Sequence, residues 1–144
     1  MSKGFNEIEL GELFQDEYRY ALEKVNYSIE EGSEDIIPEL LVNDFLSVDV
    51  LDSTIVIHVS RSAVFDPASV FSANVGYVAE LRFKDERAEL IRKHQDEIEE
   101  RFIKEGDFVL SNIMRRISLL LAQITASSGL QPLITPPSLC INED

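Results

Sequence analysis

The chain has 144 residues, with 13 Lys and Arg against 27 Asp and Glu, for a formal net charge of −14. That length suits one domain of roughly 100–200 residues with its own apolar core, and a surface of that sign repels phosphate backbones, which argues against a nucleic-acid partner. Its apolar runs fall far short of the roughly 18 residues a membrane span requires, and a lone Cys140 forms neither an internal disulfide nor a zinc site. The acidity itself keeps a protein soluble and attracts basic partners.

The first residues, MSKGFNEIELGELF, lack a basic start followed by an apolar core, so no secretory signal is read and a cytoplasmic location is expected. Residues 1–14 carry no strong periodicity and are expected to be partly loose. From 18 to 29 the pattern is that of a strand. Tyr18, Tyr20 and Leu22 share one parity and Val25, Tyr27 and Ile29 the other, so a bulge is expected at Glu23 and Lys24. Glu30 to Asp35 reads as a turn or exposed loop. A second strand over about 41–51 alternates Leu46, Val48 and Val50 with Ser47 and Asp49. Asp52 and Ser53 allow only an antiparallel hairpin.

The third strand, 54–65, puts Ile55, Ile57, Val59, Ala63 and Phe65 on one face. After a turn at 66–69, the fourth strand alternates Phe71, Ala73, Val75, Tyr77, Ala79, Leu81 and Phe83 with a more polar set, the pattern of an antiparallel strand with one packed face. The period then changes. Asp85 is the expected N-cap of a charged helix over 86–104, with Glu97 and Arg101 paired one turn apart. Gly106 interrupts it, and Asp107 is placed to cap a second, apolar helix over 107–128. Gly129 suits the left-handed position that ends a helix.

No nucleophile motif, phosphate-cradling glycine loop or metal-ligand spacing occurs. His58 and His94 fall in different elements with no Glu or Cys at ligand spacing, and the acid pairs of the charged helix read as a solvated face. Catalytic residues, metal ligands and cofactors are therefore not expected, and the chain is read as a non-enzyme.

The apolar helix carries more apolar surface than one small sheet covers. Burying a Leu or Ile yields roughly 1.5–3 kcal/mol, and a second exposed face would forfeit that gain. Ile113, Ile117, Leu120, Leu121 and Ile124 are therefore expected to form a seam between copies in a dimer or tetramer, with Arg115 and Arg116 where the helix meets water or an acidic neighbour. Phe65, Val70, Phe71, Leu130, Leu133 and Ile134 are the candidate walls of an apolar groove that takes extended chain.

The order of parts, with VFSANVGYVAELRF as last strand and FVLSNIMRRISLLLAQITASSGLQPLITPP as helix, turn and proline-punctuated continuation, resembles the SecB export-chaperone family over roughly residues 17–139. Arg115 or Arg116 falls where an arginine interrupts the family's helix, and Gly129 with Pro132 and Leu133 falls at its turn. The resemblance implies an α+β fold: a four-stranded antiparallel sheet followed by two C-terminal helical segments packed on one face. It also implies a dimer-of-dimers, ATP-independent holding of unfolded polypeptides, and delivery to an export motor. Relatives accompany toxin–antitoxin pairs, where the client is an antitoxin.

Three departures stand out. Residues 86–104 are more helical and more acidic than the family's loop. The sequence ends at Asp144 without room for a second C-terminal helix of the family type. Asn74 replaces the glutamate with which export members dock the motor. The expectation is thus one domain over 1–144 that holds an unfolded or antitoxin-type client. The alternatives are an oligomeric adaptor for one specific folded partner and a small-molecule cavity protein.

Overall fold

The computed structural model describes residues 4–32 and 35–141. Four strands, β1 (Phe14–Glu30), β2 (Glu39–Val50), β3 (Thr54–Asp66) and β4 (Val70–Phe83), form one antiparallel sheet in the order β1-β4-β3-β2. The short turns at 51–53 and 67–69 make β2, β3 and β4 neighbours, while the chain leaving β1 crosses to the far edge before β2 begins. Ser33 and Glu34, within the expected 30–35 loop, lie outside the described residues. β1 also carries the expected bulge: its register against β4 shifts between Leu22 and Lys24. The extra residue lets Tyr18, Tyr20 and Leu22 share a face with Val25, Tyr27 and Ile29 despite opposite parity.

Three helices follow, α1 (Ala88–Lys93), α2 (Gln95–Glu105) and α3 (Asp107–Ser127). They cover the sheet face bearing Ile55, Ile57, Val59, Phe71, Ala73, Val75, Ala79 and Leu81, and together these elements bury one apolar core. The α+β architecture that the resemblance implies is the one observed. The expected 86–104 helix is instead broken. It starts as a 3-10 turn over Asp85–Arg87 and is interrupted at His94, whose ring stacks on Phe5 at 4.6 Å. Ile91, Ile98 and Phe102 are buried, so this segment packs rather than standing free. Neither expected acidic cap forms, since Lys84 and Gly106 occupy the cap positions.

Gly106 joins α2 to α3 because nothing larger fits: a Cβ there would lie 2.4 Å from the Phe102 carbonyl oxygen. Gly129 ends α3 at a φ of 94°, the left-handed conformation expected of it.

Residues 1–14 depart most from expectation. Met1, Ser2 and Lys3 lie outside the described residues, but Phe5, Ile8, Leu10, Leu13 and Phe14 are buried, placed by two 3-10 turns. Arg101, expected to pair with Glu97, donates instead to the carbonyls of Phe5 (2.7 Å) and Ile8 (2.8 Å) and to Glu105 (2.8 Å). The hydrogen bond from Arg101 holds the Glu105 carboxyl below its usual range. A segment without periodicity is thereby tied down by one cation of the charged helix.

Candidate functional site

The six expected groove residues divide. Phe65 meets Phe71 edge-on at 5.2 Å, and Phe71 stacks with Tyr27 at 5.7 Å. The Tyr27 hydroxyl donates to Ser128 Oγ at 2.8 Å, and the Leu133 amide donates to Thr125 Oγ1 at 2.7 Å. Phe65, Phe71, Leu133 and the end of α3 therefore gather at one end of the molecule. Phe71 is buried, so it floors this region rather than lining a surface. Leu130 and Ile134 point to solvent, Ile134 at 78 % exposure. Val70 is 40 % exposed at a φ of 61°, a conformation a β-branched residue seldom adopts.

The expected seam needs correction. Ile113, Ile117 and Leu121 have no exposed surface, because α3 presses them into the chain's own sheet, and none of them can reach a second copy. Leu120 and Ile124 are half-buried, and with Tyr27, Gln123, Ser127 and Ser128 they line a shallow open trough of about 410 Å³. The outward apolar surface is Phe108, Leu119, Leu120 and Ile124 on α3. On β1, Leu22, Val25 and Ile29 remain exposed, Ile29 at 73 %. Arg115 and Arg116 face outward as expected, and Arg116 lies over the Tyr20 ring at 4.9 Å.

The most heavily bonded group was not anticipated. Arg61 projects into the helix side of the sheet and is completely buried. The hairpin sets Asp44 directly opposite. Its carboxylate accepts Arg61 Nε at 2.7 Å and Nη2 at 2.8 Å. Arg61 also donates to Thr135 Oγ1 (2.8 Å) and to the carbonyls of Pro136 (2.5 Å) and Ser138 (2.8 Å). The second Asp44 oxygen accepts the Cys140 amide at 2.6 Å, while the Asp44 amide donates to the Cys140 carbonyl at 2.9 Å. From the helix side, Ser118 donates to the Thr135 carbonyl at 2.7 Å. One buried ion pair thus fastens residues 135–140 across β3 to the outer edge of β2. Cys140 contributes mainly its backbone.

Among the described residues no helix covers the opposite face of the sheet. Its rows combine Asn26, Asn74, Ser62 and Asn43, and next to them Lys24, Gly76, Ser60 and Phe45. Asn74 has a buried Oδ1 without a hydrogen-bond donor among the described residues. His58 lies on this face with Nδ1 2.8 Å from Glu23 and Nε2 3.9 Å from Asp49. Among the described residues no three His, Cys, Asp or Glu are grouped to hold a metal, and no helix is long and apolar enough to cross a membrane. The interior between sheet and helices is packed with aliphatic and aromatic side chains.

No family model matches the sequence, and none of the curated proteins does. Among solved structures the fold is similar to that of the SecB-like chaperone Rv1957 of Mycobacterium tuberculosis, determined in complex with a ChAD peptide from the Rv1956 HigA1 antitoxin. The match covers 83 % of this chain and 85 % of that one, with a TM-score of 0.54 and 12 % identity. At that identity the likeness is one of fold. The sequence reading and the architecture converge on the same structural class.

Proposed function

We propose that this protein is a SecB-like holdase: a non-enzymatic chaperone that keeps extended polypeptide from aggregating and works as a homo-oligomer. The observation that carries the proposal is an outward apolar surface on a SecB-like fold, running along α3 and the helix side of β1. Leu22, Val25, Ile29, Leu119, Leu120 and Ile124 offer aliphatic contacts without convergent polar groups, which suits contact with another copy of the chain. Two surfaces share the work in this reading. The end of the sheet around Phe65, Val70, Leu130, Leu133 and Ile134 takes client chain, while the outward residues of α3 and the free edge of β1 meet another copy.

An antitoxin-type client fits the same chemistry, and the mycobacterial protein of similar fold was determined in complex with an antitoxin peptide. Delivery to an export motor is outside the proposal, because neutral Asn74 stands where the resemblance would place the docking glutamate. The packed interior also disfavours a small-molecule cavity.

Light scattering from a chemically denatured model protein diluted into buffer tests the reading. Equimolar chain is expected to suppress most of the aggregation without ATP. Aggregation unchanged at that ratio sinks the proposal, and saturable binding to a single folded partner with no affinity for denatured chains would replace it with an adaptor.

A further inference from the structure

The way Arg61 and Asp44 hold residues 135–140 shows what kind of molecule that slot accepts. Arg61 reads two main-chain carbonyls, those of Pro136 and Ser138, and Asp44 reads one main-chain amide, that of Cys140. The β2 edge adds the Asp44 amide to the Cys140 carbonyl. Only Thr135 Oγ1 and a distant Cys140 sulfur are contacted as side chains. Leu133 and Leu139 are half-buried against the core and Thr135 is buried, while Ile134, Pro136 and Pro137 face outward. A chain that bends at Pro137 and Ser138 is therefore held largely by its backbone, with Leu133, Thr135 and Leu139 turned inward.

The segment is also poorly suited to permanent sheet membership. Pro136 and Pro137 have no amide hydrogen and cannot extend a ladder. The segment is fastened by Arg61 and Asp44 on one side and Ser118 on the other, with Leu139 half-buried against the core.

We infer that residues 135–140 are a displaceable strap, occupying a slot whose other occupant is a polypeptide segment recognised through its main chain. This rests on the holdase reading and adds to it an internal competitor, so that client affinity depends on how often the strap is released. A client would present carbonyls to Arg61 and an amide to Asp44, leaving no buried charge unpaired during exchange.

The test uses the full chain, a fluorescent synthetic peptide carrying residues 129–141, and two variants that loosen the strap without touching the ion pair. Thr135→Val removes the hydroxyl that accepts from Arg61, and Ser118→Ala removes the bond from α3 to the Thr135 carbonyl. Circular dichroism and thermal melts establish that each variant is folded. Both are expected to show faster hydrogen exchange confined to the strap and to bind the peptide roughly tenfold more tightly than the parent, because apparent affinity scales with the fraction of molecules whose slot is vacant. Unchanged exchange in both folded variants overturns the inference, as does faster exchange with no gain in peptide affinity. A rise in solution mass on loosening would assign the slot to the strap of a second copy and also overturn it. Adding a denatured, carboxymethylated polypeptide separates the two readings. Failure to compete with bound peptide sinks the holdase while the strap stands; equal binding by parent and loosened variants keeps the holdase and removes the strap.

Discussion

Arg61 is a cation without exposed surface, and burying a charge is tolerated only where its partners replace the lost water. Asp44, Thr135 and the carbonyls of Pro136 and Ser138 do so, leaving each guanidinium hydrogen an acceptor. Removing one member strands the other: Asp44→Ala is expected to cost about 3–5 kcal/mol in urea unfolding. The paired change of Arg61→Met with Asp44→Leu is expected to cost far less, since it removes both desolvation penalties. A near-zero cost for Asp44→Ala would show that Arg61 finds water there. Part of this was legible beforehand. Arg61 falls in the parity of Ile57, Val59 and Ala63, and the short turn after β2 sets Asp44 across from it. Its partner Thr135 was not legible, because it lies 74 positions along the chain.

At the scale of elements, periodicity located every strand and the apolar helix, because side-chain alternation and the helical stripe are local consequences of one buried face. Even the bulge in β1 could be read from the switch of parity after Leu22. The segment before β1 escaped this logic. Phe5, Ile8, Leu10 and Leu13 are apolar but fit neither period, being placed by 3-10 turns too short to build a stripe. Arg101 fixes them by two carbonyl hydrogen bonds and by resting 4.7 Å over the Phe5 ring. Arg101→Met is therefore expected to raise hydrogen exchange over residues 5–13 and to lower stability by roughly 2–4 kcal/mol, with hydrogen bonds to a charged group each contributing about 1.5–3 kcal/mol. Slow exchange across that segment in the variant would show that apolar packing alone suffices.

For the whole molecule, the question is what covers the apolar surface left outside. Leu119 is 59 % exposed, and it belongs with Leu120, Ile124 and the exposed aliphatics of β1. Surface of this kind commonly marks an interaction site, and the free edge of β1 extends along its full length. Leu119→Asp is expected to lower the mass in solution, measured by sedimentation, while helix content stays unchanged. A parent protein that is already a single chain at micromolar concentration would remove the oligomer from the proposal and leave the exposed surface to clients alone.

Amino-acid order alone settled the strands, their turns and the apolar helix, since each depends on neighbours within a few residues. Folding decided which side of α3 turns inward, sending Ile113, Ile117 and Leu121 to the core and leaving Leu119 outside. It also decided that the first described residues are anchored, and that an ion pair clasps residues 135–140. These outcomes depend on groups far apart in the chain, 96 positions for Arg101 and Phe5. No local period encodes such meetings; packing and the satisfaction of buried polar groups select them.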